Sequence, residues 1–328
     1  MLKLKGVGVS LMSYGVVSNL ERLKEKLLNV IEAGFSSVEI PIQGMNVIVN
    51  GEIDLRRLDA YSKLLGSLSL NYTMHAPFDL NLFRQGSLSF EKKLFMASLE
   101  VAGAVGAEIM VYHVGRFVGE EQFIYPHTWM SYTDAEKQQL MQQEIDFIRI
   151  AGERAQQLKV RIGMENVRPY LDCPDYCYSV IPRMLAQQVA AIGHAHVGIT
   201  LDVGHLHLST QMYGLSLHDE LQAMLPYIIH LHVHDNFGKP CFSTEKNQYE
   251  LLPLGRGDMH MPIGEGEVPM AQIARMLEAT PFHGYLIHEI REQYEYSWSE
   301  LSQKHHDLLS LESTPIDMTL PTEKQHVG

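Results

Sequence analysis

Cysteine is scarce in this chain: three residues in 328 (Cys173, Cys177 and Cys241), an odd number. That is too few for a disulfide framework. Cys173 and Cys177 have C-x3-C spacing, but no second pair completes a zinc knuckle, so the three read as ordinary thiols of a reducing cytoplasm. No apolar run approaches the roughly 18 residues that a membrane span needs. The opening MLKLKGVGVS leads straight into a strand-like segment without an apolar signal core. A cytoplasmic protein with no membrane partner is therefore expected. Positive charge is short as well, with 26 Lys and Arg against 39 Asp and Glu, a net charge of −13 with the 17 histidines neutral. Such a chain repels phosphate backbones at long range, which disfavours nucleic acid as a partner. Clustered carboxylates have the opposite effect on divalent cations. Finally, no glycine-rich loop follows the first strand-like run, which argues against a doubly wound dinucleotide fold.

What is present is an alternation. Strand-like runs lie at 4–10, 37–41, 71–76, 107–114, 160–167, 196–203, 227–235 and 284–290. Helical patterns lie between them at 19–33, 54–66, 88–105, 133–157, 178–192, 216–225, 268–279 and 296–310. Eight such units predict a single (β/α)8 TIM barrel over 1–311, followed by a polar C-terminal tail at 312–328. Strand parity supports a closed barrel. In HVGITLDV, Val197, Ile199 and Leu201 share one face while Thr200 and Asp202 share the other. One face of a barrel strand meets the helices and the other looks inward.

Nine ligand-type residues fall at the C-terminal ends of these runs or in the loops beyond them, where barrel active sites lie. They are His75, His113, Glu165, Asp202, His205, His232, Asp258, His260 and Glu289. A single strand histidine is usually structural, but here many converge. Glu165 and Glu289 would be buried inside the barrel, and a buried carboxylate needs a cation or an arginine to answer it. Asp202 either ends its strand as a ligand or caps the next helix, and the glycine in D-V-G-H is expected to let the backbone turn towards His205. His230, His232 and His234 alternate in one strand and occupy three depths. His232 is the expected ligand, His230 an interior hydrogen-bonder, and His234, at the rim, a substrate contact. Asp258 and His260 in R-G-D-M-H can reach one cation from an extended loop. His288 has helix-facing parity. The aromatic stretch 123–132 reads equally as a lid or as a subunit contact that would suit a homodimer.

Taken together, M-E-N at Glu165, L-D-V-G-H at Asp202–His205, H-V-H-D-N at His232–Asn236, D-M-H at Asp258–His260, I-G-E-G-E-V at 263–268 and H-E-I at Glu289 resemble the xylose isomerase-like TIM-barrel superfamily. That superfamily joins sugar isomerases and epimerases to endonuclease-IV-like AP endonucleases. The resemblance covers roughly residues 5–310. For the sugar branch it implies one divalent metal (Mn, Mg, Co or Zn) on Glu165, Asp202, His232 and Glu289, with Glu165 and Glu289 as the proton-transferring pair. For the nuclease branch it implies up to three zincs, with His75, His113, His205, Asp258 and His260 added to the ligands. Residues 235–267 hold six acids (Asp235, Glu245, Glu250, Asp258, Glu265, Glu267) against three bases (Lys239, Lys246, Arg256). A DNA-binding face needs the reverse. The expectation is therefore a metal-dependent sugar or sugar phosphate isomerase or epimerase. His234 and Arg256 would touch the substrate, His75, His113, His205, Asp258 and His260 would bind either sugar hydroxyls or additional metal, and a dehydratase or an AP endonuclease stands as the alternative on the same scaffold.

Overall fold

The structure, a computed structural model, describes residues 2–245 and 248–304. The polar tail at 312–328, the end of the last expected helix, Lys246 and the histidines at 305, 306 and 326 lie outside those residues.

Eight parallel strands close into one barrel: β1 (Gly6–Ser10), β2 (Ser37–Pro41), β3 (Asn71–His75), β4 (Ile109–His113), β5 (Arg161–Glu165), β6 (Val197–Asp202), β7 (Ile228–Val233) and β8 (Tyr285–His288). Around the ring the order runs β1-β8-β7-β6-β5-β4-β3-β2. Each strand lies within its expected run; β2 matches its run and the others are shorter by residues at one or both ends. A helix or helices follow every strand, and their apolar faces pack on the strands' outer faces. The helix Leu20–Glu32 buries Leu23, Leu27 and Val30, and its N-cap Asn19 accepts from the amides of Glu21 and Arg22. Thr133 and Glu136 form a reciprocal capping box at the start of Asp134–Leu158.

Two regions depart from expectation. The connection from β6 to β7 contains two helices, Val203–Tyr213 and Leu217–Met224, where the sequence suggested only the second. Val203 through Thr210 are all buried, so the first helix has no polar face and no 3.6-residue period to reveal it. The expected 178–192 helix begins at Pro182, which takes the first helical position. Its first residues form a 3-10 turn, Tyr178–Val180.

Inside the barrel, Ile109, Val111, Tyr285 and Ile287 make a small apolar plug separate from the main core under the helices. The strands also bury a polar set, Ser37, Glu39, Thr73, Thr200 and His230, and the ligand-type residues lie at the C-terminal strand ends and in the loops beyond. The β6–β7 register shifts between Ile199 and Thr200, so that Thr200 pairs with His230 and Asp202 with His232. That irregularity sets the inward histidines of β7 level with the end of β6.

Candidate metal centre

Eight of the nine expected residues are buried, and His113 is 14% exposed. They converge into overlapping groups. Glu165, Asp202, His232 and Glu289 each offer a ligand atom within 4.8 Å of the others, as do His75, His113 and Glu165. A third group joins His205, Asp258 and His260 with His234. Glu165 belongs to two of these groups, and His234 of the third lies 3.0 Å from Asp202, so they form one continuous strip across the barrel mouth.

His232 is the hinge of the strip. Its Nδ1 lies 3.1 Å from Glu165 Oε1 and 3.2 Å from Glu289 Oε2. Glu165 Oε2 in turn lies 3.3 Å from Nε2 of both His75 and His113. Burial alone would raise the Glu165 carboxyl, but the charges of His232 and His113 hold it well below the usual carboxylate range. Glu289 is likewise drawn down against burial, to about 2, chiefly by His232. In the third group Asp258 Oδ2 lies 3.1 Å from His205 Nε2, 2.9 Å from His260 Nε2 and 3.1 Å from Arg168 Nη1. Against the effect of burial, Asp202 and Asp258 raise the His205 imidazole to about 10.

The tautomers fit a metal. His75 Nδ1 lies 2.7 Å from the carbonyl oxygen of Ala76, His205 Nδ1 2.9 Å from that of Asn166, and His260 Nδ1 2.7 Å from that of Glu289. A carbonyl only accepts, so each Nδ1 carries the proton and donates. Each Nε2 is left pointing into the cluster, where it could serve as a ligand atom, the usual arrangement around bound metals. Asp258 Oδ1 is buried and receives no hydrogen bond. Three carboxylates and one imidazole in the four-residue group suit a hard or borderline divalent cation.

Several expectations change in detail. Asp202 is both a cluster member and a helix cap, because its Oδ1 accepts the His205 amide at 2.7 Å. Gly204 is not at a turn: it lies inside the helix Val203–Tyr213, where an added Cβ would meet His234 Cε1 at 2.1 Å. Close packing on His234 is what requires glycine. His260 is not extended but left-handed, at φ 47°, and that conformation swings its ring back to Asp258. His234 is not at the rim. It is fully buried, with Nε2 at 3.0 and 3.1 Å from the two Asp202 oxygens. Arg256 is paired with Glu245. His230 lies in the interior with Nε2 3.1 Å from Glu39, and His288 packs on Phe35 of the helix layer, as parity suggested. The 123–132 stretch is anchored by Phe123, buried against Tyr170 and Tyr176, while Ile124, Tyr125 and Met130 are exposed.

Three residues near the site escaped the sequence reading. Glu39 lies beneath His232, and its signal was a lone charge between Val38 and Ile40 in a short strand. Arg168 pairs with Asp258. Phe78 stacks on His113 with ring centroids 5.5 Å apart. Neither of these last two carries a periodic signal, because both sit in loops.

A closed eight-stranded barrel with such a strip at its C-terminal mouth defines a class, the TIM barrels with ligand-type clusters at the strand ends. Residues 27–310 match the model of the xylose isomerase-like TIM barrel family, and the chain belongs to that family. Among solved structures it is similar to a D-tagatose 3-epimerase-like protein, at 20% identity and TM-score 0.67, covering 93% of this chain and 98% of that one. It is also similar to 3-keto-D-glucoside 4-epimerase from E. coli, at 15% identity and TM-score 0.62, covering 92% and 99%. A third is D-psicose 3-epimerase in the presence of D-fructose, at 13% identity and TM-score 0.59, covering 86% and 83%. At these identities the likeness establishes the shared fold. No curated protein matches by sequence.

Proposed function

We propose that this protein is a divalent-metal-dependent isomerase or epimerase of a sugar or sugar phosphate, with Glu165, Asp202, His232 and Glu289 as the metal ligands. The observation that carries the reading is the pinning of three histidines by their Nδ1 protons around a buried carboxylate-rich group, a set of charges that needs a cation at its centre. Three solved structures with the same fold are named as sugar epimerases or as similar to one, which supports a ketose substrate. A bound cation would supply Lewis-acid charge to a substrate carbonyl and adjacent hydroxyl. The chain supplies the rest. Glu165 and Glu289 approach the same His232 nitrogen from two strands, so the pair can take a proton from the carbon next to the carbonyl and return it. His113 is partly open to solvent while His75 is buried beside it, and Phe78 offers an apolar surface against both rings.

The test is proton exchange. The Mn-loaded protein is incubated with D-tagatose, D-psicose or D-fructose in D2O, and deuterium entering the ketose carbon skeleton is followed by NMR. Glu289→Gln is expected to lower exchange at least about 100-fold, in the range of a lost general acid–base group, with unchanged circular dichroism. Wild-type exchange in that variant would remove Glu289 from this role.

A second reading, a zinc phosphodiesterase, is favoured by the two outer groups around His75, His113 and Glu165 and around His205, Asp258 and His260. Against it, Arg168 and Arg256 at the mouth are already paired with Asp258 and Glu245 rather than presented to a phosphate backbone. Three tightly held zincs per chain together with cleavage of an abasic-site duplex would establish it.

A further inference from the structure

His75, His205 and His260 are held by main-chain carbonyls, but His232 has no such carbonyl. It lies within β7, where the main chain is committed to the barrel ladders. Its Nδ1 faces Glu165 and Glu289 and is bonded to Glu165 Oε1, so with Nδ1 given over to a cation the ring can be oriented only from the Nε2 side. The group found there is Glu39, from β2, fully buried among the polar residues of the strands. Glu39 Oε1 stands 3.0 Å from His232 Nε2, an ion-pair approach that falls short of an aligned hydrogen bond. Its other oxygen is fixed independently, accepting from Thr73 Oγ1 at 2.9 Å and lying 3.1 Å from His230 Nε2. Carboxylates flank both ring nitrogens, Glu165 and Glu289 at Nδ1 and Glu39 at Nε2; when Nδ1 gives its lone pair to a cation, the neutral ring carries its one proton on Nε2, towards Glu39.

We propose that Glu39 is a positioning residue for the metal centre. It holds His232 in the Nε2–H tautomer with Nδ1 presented as the ligand, and it is held in turn by Thr73 and His230. Glu39 thus does for His232 what main-chain carbonyls do for the other three rings. The inference rests on His232 being a metal ligand, as proposed above, and it assigns Glu39 no contact with metal or substrate.

The experiment uses the full chain and Zn2+ as the probe. Affinity is measured by competition with a chromophoric chelator, and the ring nitrogens of the zinc-loaded protein are read by long-range 1H–15N correlation. In the wild type, His232 is expected to show a metal-bound Nδ1 and a slowly exchanging Nε2–H. Glu39→Gln should weaken zinc binding by about 10–100-fold, the usual loss for an outer partner of a ligating histidine, and should shift or erase the Nε2–H resonance. The Nδ1–H resonances of His75, His205 and His260 should not move. Thr73→Val leaves the carboxylate in place and removes one of the two hydrogen bonds to its Oε2, so it should give the same spectral change with a smaller loss of affinity. Should Glu39→Gln prove unfolded, Thr73→Val carries the test. Zinc affinity within twofold of wild type in the folded variants, with the His232 resonances unmoved, would overturn the role of Glu39 while leaving the metal centre standing. Failure of the wild type to bind zinc, manganese or cobalt would overturn the metal centre itself.

Discussion

Asp202 does two tasks with one carboxylate. Its Oδ1 caps the helix that follows β6, and both oxygens lie against His234 in the cluster. Capping fixes the side chain before any ligand arrives, so the geometry is prepared by the fold. Gly204 makes this possible by leaving room for His234. In an exposed helix, Gly→Ala would stabilise by about 1 kcal/mol. Here the new methyl would fall 2.1 Å from a buried ring whose other side is held by Asp202, and overpacking of this kind costs about 1–3 kcal/mol. Gly204→Ala should therefore lower the denaturation midpoint and weaken zinc binding together. A more stable variant with intact binding would show that His234 can move aside.

At the scale of elements, the site depends on a loop in which one side chain adds three bonds to the main-chain pairs that hold it. Asp235, just past β7, accepts the amides of Asn236 and Val268 on Oδ1 and that of Gly264 on Oδ2. This explains the H-D-N and I-G-E-G-E-V motifs together: the first supplies the anchor and the second wraps it. Gly266 passes so close that a Cβ would meet Asp235 Oδ1 at 2.5 Å. Asp235→Asn turns one acceptor into a donor facing an amide, a mismatch worth about 1–3 kcal/mol. Hydrogen exchange should show faster opening at Gly264 and Val268, with the barrel strands unchanged; wild-type protection would mean that the loop is held by other contacts. Strands and amphipathic helices were legible from periodicity, because each buries one face. The helix Val203–Tyr213 was not, since it is buried on all sides, and neither was the left-handed turn at His260, which places a ligand-type ring by backbone conformation rather than by strand parity.

For the whole molecule, the central expectation is that the metal is also a stabiliser. Three carboxylates and several histidines converge in a largely buried cluster, and a cation that binds only the folded state shifts unfolding by mass action. At about 100 times its dissociation constant the gain is about 2.7 kcal/mol. Thermal unfolding should therefore move up with added Mn2+ or Zn2+ and fall back with a chelator, in proportion to the logarithm of free metal. A midpoint indifferent to both would argue that the cluster is a self-compensated polar network. The sequence by itself determined the barrel, its eight strands and the nine ligand-type residues, because hydrophobic period and strand-end position are local properties written into neighbouring residues. Only the tertiary structure decided which of them share an atom's reach, that Glu39 from β2 lies against His232 from β7, that Arg168 and Arg256 are already spent on Asp258 and Glu245, and which nitrogen of each ring faces inward. Those are contacts between strands far apart in the chain, set by barrel closure and register, and no local pattern encodes them.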